Sequence, residues 1–373
     1  MVVAWGRYRP ATVTVLPSAG RHNPRFRRRV DVLWKPAQRR DMPMDDAGSR
    51  LIFGCMGLGG GWGRGPLEAA DVAAAHTAVD AALDIGISVF DHADIYAYGK
   101  AEAAFGRVLA DRPELRETIQ LQTKCGIRLP APGLAGHYDS SREAIVGSTE
   151  ESLRRLHTDY VDTLLIHRPD PLAPAEEIAE AFTRLRLAGK VRRLGVSNMS
   201  GEQMRWLQAA LDEPLAANQL EMSLYRRDWL ESSVLVNHPE GSAVGFPHGT
   251  LEYCAAHRVE LQAWGSLARG RYSGRPVEPA AGAQDAPGAG TAAGGPDGAT
   301  AALVAELARD KGCTQEAVVL GWLLRHPATI RPVVGTSNPD RIKACAQAEE
   351  IGAAMTRQEW YALWVAARGR PLP

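Results

Sequence analysis

A (β/α)8 TIM barrel is the architecture this sequence predicts, and three observations carry the prediction. From residue 51 onward, short apolar or β-branched runs alternate with segments of helical periodicity, the pattern of an α/β protein with parallel strands. Eight such strand-like runs occur, more than a doubly wound sheet ordinarily uses. Several end in a polar residue, and in a barrel the strand C-termini form the face that carries the active site.

The expected strands are Leu51 to Cys55, Ile87 to Asp91, Ile119 to Lys124, Val161 to His167, Val191 to Val196, Ala216 to Leu220, Val259 to Trp264 and Ile330 to Val334. Between the first two, Val72, His76, Val79 and Leu83 recur at helical spacing, and Gly86 sits where a helix-ending glycine belongs. Ser140 and Glu143 make a capping box ahead of Ile145, Leu153 and Leu156. Ile178, Ala181, Phe182 and Leu185 form a further apolar stripe, closed by Gly189. Ser200 with Gln203, Asn338 with Pro339, and Thr356 with Glu359 mark three more helix starts. The last of these leads into Trp360, Leu363 and Trp364, which are expected to pack on the barrel.

The chain has 373 residues, 45% of them hydrophobic and 23% charged, enough for a large core. Lys+Arg and Asp+Glu are both 43, so no overall field favours nucleic acid or an anionic membrane. Cys55, Cys125, Cys254, Cys313 and Cys345 are widely spaced without a C-x-x-C, which indicates neither disulfides nor zinc and suits a reducing cytoplasm. No apolar stretch reaches the roughly 18 residues of a membrane span. A small-molecule partner and a monomer or small homo-oligomer are expected. Residues 1–43 hold nine Arg and one Lys up to position 40 and are expected outside the core. They read as a disordered extension, as an organellar transit segment, or as residues ahead of a true start at Met42 or Met44. Residues 44–373 then form one barrel domain, with a flexible Ala/Gly/Pro-rich insertion near 274–299.

The second, third and fourth strands end in "FDHADIY", "LQTKC" and "LLIHRPD". Gln120, Gln122 and Lys124 share one parity and Ile119 and Leu121 the other, so Lys124 should point into the barrel, where Asp91 is its natural partner. Asp91, Tyr96, Lys124 and His167, in that order, resemble the catalytic tetrad of the aldo-keto reductases. The resemblance covers about residues 48 to 355 and extends to "GKVRRLGVSN", "NQLEMS", "AWGSL" and "VVGTSNPDRI". With "DHADIY", "KCGI" and "LLIHRPDP" added, the chain looks most like the bacterial YdhF-type branch.

The resemblance implies an NADP-dependent oxidoreductase that reduces aldehydes, ketones or dicarbonyls, with Tyr96 as general acid. A phenol with a reference pKa of about 10 is a weak acid for this task at neutral pH. An ammonium roughly 4 Å away favours the phenolate by about 4 kcal/mol at an effective dielectric near 20. Asp91 would hold Lys124 charged, and His167 would donate to the carbonyl oxygen. For NADPH, the resemblance assigns Ser197, Asn198 and Gln219 to the nicotinamide carboxamide and Trp264 to its ring. Thr336 and Arg341 would take the 2′-phosphate at a helix N-terminus. Met56, Asp91, Gly265, Leu267, Arg269 and Gly335 complete the expected cofactor contacts. Gly335 stands where the family often has lysine, and Ala344 and Cys345 where Glu-Asn often follows.

Trp62, His92, Tyr98 and His167 are the expected pocket residues, with Trp62 equally readable as an ordinary surface tryptophan and His92 as a residue supporting the pocket wall from behind. "GCMGLGGGWGRG" fits no G-x-G-x-x-G register and reads as the loop after the first strand. Asp91, His92 and Asp94 alternate direction along an extended chain, so no metal site is expected. Cys125 is expected to be a buried inert thiol, and Arg168 to bond a carboxylate such as Asp170. A second functional reading is a cofactor-binding, redox-sensing regulatory protein with little turnover.

Overall fold

A computed structural model describes residues 48–274 and 295–373. The expected extension at 1–43 and most of the expected insertion at 274–299 lie outside the described residues. Eight parallel strands close into a barrel: β1 (Ile52–Gly54), β2 (Val89–Asp91), β3 (Gln120–Cys125), β4 (Val161–Ile166), β5 (Val191–Ser197), β6 (Ala217–Glu221), β7 (Glu260–Trp264) and β8 (Arg331–Val334). Each strand pairs with its sequence neighbours, and β1 closes the ring by pairing with both β2 and β8.

The pairing register sets the site. Asp91 lies opposite Gln122, Lys124 opposite Leu165, and Gln219 opposite Gln262. Inside the barrel, Ile52, Val89 and Val333 form a small separate apolar cluster. Many of the inward positions beyond it are polar: Asp91, Gln122, Lys124, Gln219 and Gln262 are all buried. The larger core lies between strands and helices, where Leu121, Leu164, Ile166 and Val196 meet the surrounding helices.

Four helix expectations stand as drawn. Helix Gly201–Gln208 carries the Ser200–Gln203 capping box, and helix Arg357–Arg368 carries Thr356–Glu359. Asn338 caps Pro339–Lys343, and helix Ala175–Leu187 buries Ile178, Ala181, Phe182 and Leu185. Two need correction. Helix Arg142–Leu156 is capped by Ser141, whose hydroxyl oxygen accepts the Ala144 N–H, rather than by Ser140, whose backbone N–H is drawn to Asp170. Helix Ala69–Asp84 buries Ala75, Ala78, Val79, Ala81 and Ala82, while Val72, His76 and Leu83 flank that face. Alanines let the helix approach the strands closely, so the larger side chains are displaced to the sides. The structure also contains a ribbon of Ile127–Arg128 against His137–Tyr138 after β3, which the sequence pattern does not announce.

Candidate active site

The site is built on strand ends. Asp91 closes β2, Lys124 lies one residue before the end of β3, and His167 follows β4 directly. Tyr96 opens a tight turn at Tyr96–Gly99 whose next two residues, Ala97 and Tyr98, adopt φ of 49° and 59°. Positive φ at two consecutive non-glycine residues is costly and persists only where surrounding structure holds it.

Lys124 is 1% exposed and Asp91 2%. Lys124 Nζ donates to Asp91 Oδ2 at 2.6 Å and to the backbone oxygen of His92 at 2.8 Å. The same ammonium lies 5.0 Å from the centre of the Tyr96 ring. The His167 ring stands edge-on to Tyr96 at 6.1 Å. Four side chains spread over 77 residues of sequence, from 91 to 167, therefore meet around one point.

The electrostatics assign protonation states. Burial works to lower the Lys124 pKa, but Asp91 and Tyr96 outweigh it and the net shift is upward, so the side chain is an ammonium. Burial pushes the Tyr96 phenol above its ordinary 10.0, Lys124 pulls it down and Asp91 pushes it up, leaving it raised. The pull of the ammonium is outweighed. With burial and Asp91 included, Tyr96 keeps its proton at neutral pH, as a general acid must. Burial, then Lys124 and Arg168, hold His167 well below 6.5, so its imidazole is neutral. His167 Nδ1 is enclosed without a partner, which leaves Nε2 as the nitrogen able to meet a carbonyl oxygen.

Next to this group the ends of β4, β5 and β7 are tied together through Asn198, at φ 57°. Its Nδ2 donates to Ser197 Oγ at 2.8 Å and to the His167 backbone oxygen at 3.4 Å, and its Oδ1 accepts from Trp264 Nε1 at 3.3 Å. Ser197 Oγ donates to the Gln219 backbone oxygen at 2.8 Å. Asn198 and Trp264 are half-buried, whereas Ser197 and Gln219 are buried beneath them. Met56, Gly265 and Arg269 are exposed and Leu267 half-buried on the loops after β1 and β7. Gly335, Thr336 and Arg341 follow β8, the glycine exposed and the other two half-buried.

The chemistry of this donor set suits a dinucleotide, with a carboxamide and an indole at one end and a guanidinium with a hydroxyl at the other. One expected contribution drops out. Asn338 Oδ1 already accepts the N–H groups of Asp340 and Arg341 at 3.0 and 3.2 Å, and the helix is five residues long. An anion there would rely on the Arg341 side chain and the Thr336 hydroxyl.

Of the expected pocket residues, Trp62 and Tyr98 meet edge to face at 5.9 Å, which joins the loop after β1 to the turn after β2. Arg64 stacks over Tyr98 at 4.4 Å and donates to the Pro130 oxygen at 3.3 Å, a contact the sequence reading missed. His92 is not itself part of the pocket wall and takes the position behind it. It is 0% exposed and packs edge-on to Phe105 at 4.7 Å, so a ligand in the mouth cannot touch it. Asp91 faces inward, and the alternation of an extended chain turns His92 outward to the helices. Asp170, the partner expected for Arg168, instead accepts the backbone N–H groups of Ser140 and Leu172 at 2.8 and 2.9 Å. Cys125 is buried with its thiol pKa pushed well up by burial, as expected of an inert thiol. Gln122 and Gln262 were missed as parts of the site, although their parity, which points them into the barrel, was legible.

Residues 50–363 match the family model described as aldo/keto reductase family. Among curated proteins, a 6-dehydroglucose reductase of Agrobacterium fabrum is 37% identical over 328 residues, covering 86% of this chain and 95% of that protein. The oxidoreductase YdhF of Escherichia coli is 37% identical over 294 residues, covering 78% of this chain and 86% of that protein. Among solved structures, a glycerol dehydrogenase from Gluconobacter oxydans superposes with a TM-score of 0.68 at 27% identity, covering 87% of this chain and 93% of that one. An aldo-keto reductase from Klebsiella pneumoniae, solved in complex with NADPH, gives 0.63 at 24% identity over the same shares.

Proposed function

The chain belongs to the aldo/keto reductase family, and we propose that it is an NADPH-dependent carbonyl reductase in which Tyr96 is the general acid. One observation carries the reading: a buried ammonium, Lys124, bound to Asp91 at 2.6 Å and lying 5.0 Å from the Tyr96 ring. That arrangement has a purpose if negative charge develops on the phenol oxygen. Bound reduced nicotinamide supplies the hydride. Tyr96 gives its proton to the carbonyl oxygen, and Lys124 stabilises the phenolate that remains. His167, neutral and open at Nε2, donates to the same oxygen and orients the carbonyl. Asn198 and Trp264 hold the nicotinamide end, with Ser197 and Gln219 fixing Asn198 from below. Arg341 and Thr336 hold the 2′-phosphate.

Trp62, Tyr98 and Arg64 line the substrate side. The 6-dehydroglucose reductase among the relatives makes polyhydroxylated aldehydes the first group to test, beside simple aldehydes, ketones and dicarbonyls. Consumption of NADPH is followed by absorbance across that panel, with NADH as the control. Tyr96→Phe is expected to lose turnover by about a thousandfold or more while binding NADPH as before, since only the proton donor is removed. Unchanged aldehyde reduction by that variant would sink the assignment. Tight NADPH binding without turnover by the native chain would favour the redox-sensing alternative.

A further inference from the structure

The barrel interior holds a chain of carboxamides that the proposed chemistry does not use. Gln122 on β3 and Gln262 on β7, each 3% exposed, face one another as a reciprocal pair. Gln122 Nε2 donates to Gln262 Oε1 at 2.8 Å, and Gln262 Nε2 donates to Gln122 Oε1 at 2.9 Å. At one end Gln122 Nε2 also donates to Asp91 Oδ1 at 2.5 Å. At the other, Gln262 Nε2 donates to Glu260 Oε1 at 2.8 Å, and Gln262 Oε1 accepts from Gln219 Nε2 at 3.0 Å.

The direction of this chain is forced. The carboxylate oxygens of Asp91 and Glu260, set against Lys124 and Arg331, accept, so the NH2 groups of Gln122 and Gln262 must face them. The amide oxygens are then left to accept from each other's NH2 and from Gln219. Barrel interiors are ordinarily filled by branched apolar side chains, and amides in a dry core cost free energy unless fully paired. Here both amides are fully paired, and the pairing runs to Asp91.

We infer that Gln122 and Gln262 are positioning residues for hydride transfer. They tie Asp91, and through it Lys124 and Tyr96, to Gln219, whose backbone oxygen accepts Ser197 Oγ at 2.8 Å and the Asn198 N–H at 3.0 Å. The acid side and the nicotinamide side of the site thereby keep one spacing, which matters because reacting atoms must meet within fractions of an ångström. Neither glutamine touches the reacting atoms. The inference rests on the function proposed above. The charged and titratable groups facing Asp91 are Lys124, Tyr96 and Cys55, and the bridge adds Glu260 with its Arg331 partner at 3.4 Å.

The test uses Gln122→Met, which keeps length but cannot donate, Gln122→Glu, which donates only when protonated, and Gln262→Met. Four quantities are read: the NADPH dissociation constant by fluorescence, kcat against KM, the pH profile of kcat, and the melting temperature without cofactor. Gln122→Met is expected to lower kcat about tenfold, leave aldehyde KM within about twofold, and move a limb of the pH profile by about half a unit or more. Gln122→Glu should regain activity as pH falls and its carboxyl can again donate to Asp91. Gln262→Met should weaken NADPH binding about threefold or more. Folded Gln122→Met and Gln262→Met with native kcat, pH profile and NADPH binding would overturn the inference, even if their melting temperatures fell. Should Gln122→Met fail to fold, a Gln122→Glu pH profile that superimposes on the native one would overturn it equally. If the native chain reduces no carbonyl, the proposed function fails instead, and the bridge then stands or falls on NADPH binding by Gln262→Met.

Discussion

Removal of the Lys124 ammonium would leave Asp91 buried, with Gln122 as its remaining side-chain donor. Breaking a buried ion pair from one side costs about 3–5 kcal/mol, because an uncompensated charge stays behind. Lys124→Met should therefore lower the stability of the chain by about that amount as well as its turnover. Asp91→Asn in the same background should recover part of the loss, and a double-mutant cycle by urea unfolding measures it. Additive single losses would show that the two groups do not form an energetic pair. At this scale the sequence was informative where parity applies: Asp91, Gln122 and Lys124 point inward because of alternation along extended chain. The same rule, applied to His92, would have placed it outward against Phe105. The Tyr96 pKa was not legible, because its direction depends on how deeply the folded chain buries the ring.

Between β2 and the helix Lys100–Asp111, Asp94 stands two residues before Tyr96, with its Oδ1 buried without a partner. Burial first, and Glu102 second, raise its pKa from an ordinary 3.8 to about 7. Glu102 is itself buried and bonded to Thr123 at 2.6 Å and to Arg155 at 2.7 Å. The folded chain thus keeps a proton on Asp94 at pH values where the unfolded chain has lost it. Stability attributable to this group is full below pH 3.8 and falls as pH rises to about 7. Asp94→Asn should flatten that decline, and melting temperatures of the two proteins should converge at low pH and separate toward neutrality. Parallel curves would show that Asp94 does not titrate in this window. Helix starts were readable in the sequence wherever the cap is local, as at Ser200 and Thr356. The start at Ser141 was not, because the competing bond from Ser140 goes to Asp170, 30 positions away.

Across the whole molecule, the C-terminal helix Arg357–Arg368 locks onto helix Gln315–Leu324 through two tryptophans. Trp322 Nε1 donates to the Trp360 backbone oxygen at 3.0 Å, Trp360 Nε1 donates to that of Trp322 at 2.9 Å, and the rings stack at 5.3 Å. Trp360→Ala is expected to cost about 3–5 kcal/mol by removing a large buried ring and one of these bonds. Urea unfolding checks this, and a change below about 1 kcal/mol would show that the helix contributes little to the fold. The sequence by itself determined the number and order of the barrel strands and which residues of β2 and β3 point inward, while Asp91, Tyr96, Lys124 and His167 were singled out by family resemblance. The strand properties follow from local alternation and from residue type. Only the closed barrel decided how Tyr96 and His167 come to the Lys124–Asp91 pair, and that Gln122 and Gln262 bridge opposite sides of the site. Such contacts depend on strand register and ring closure, which join residues up to 140 positions apart and leave no local mark in the chain.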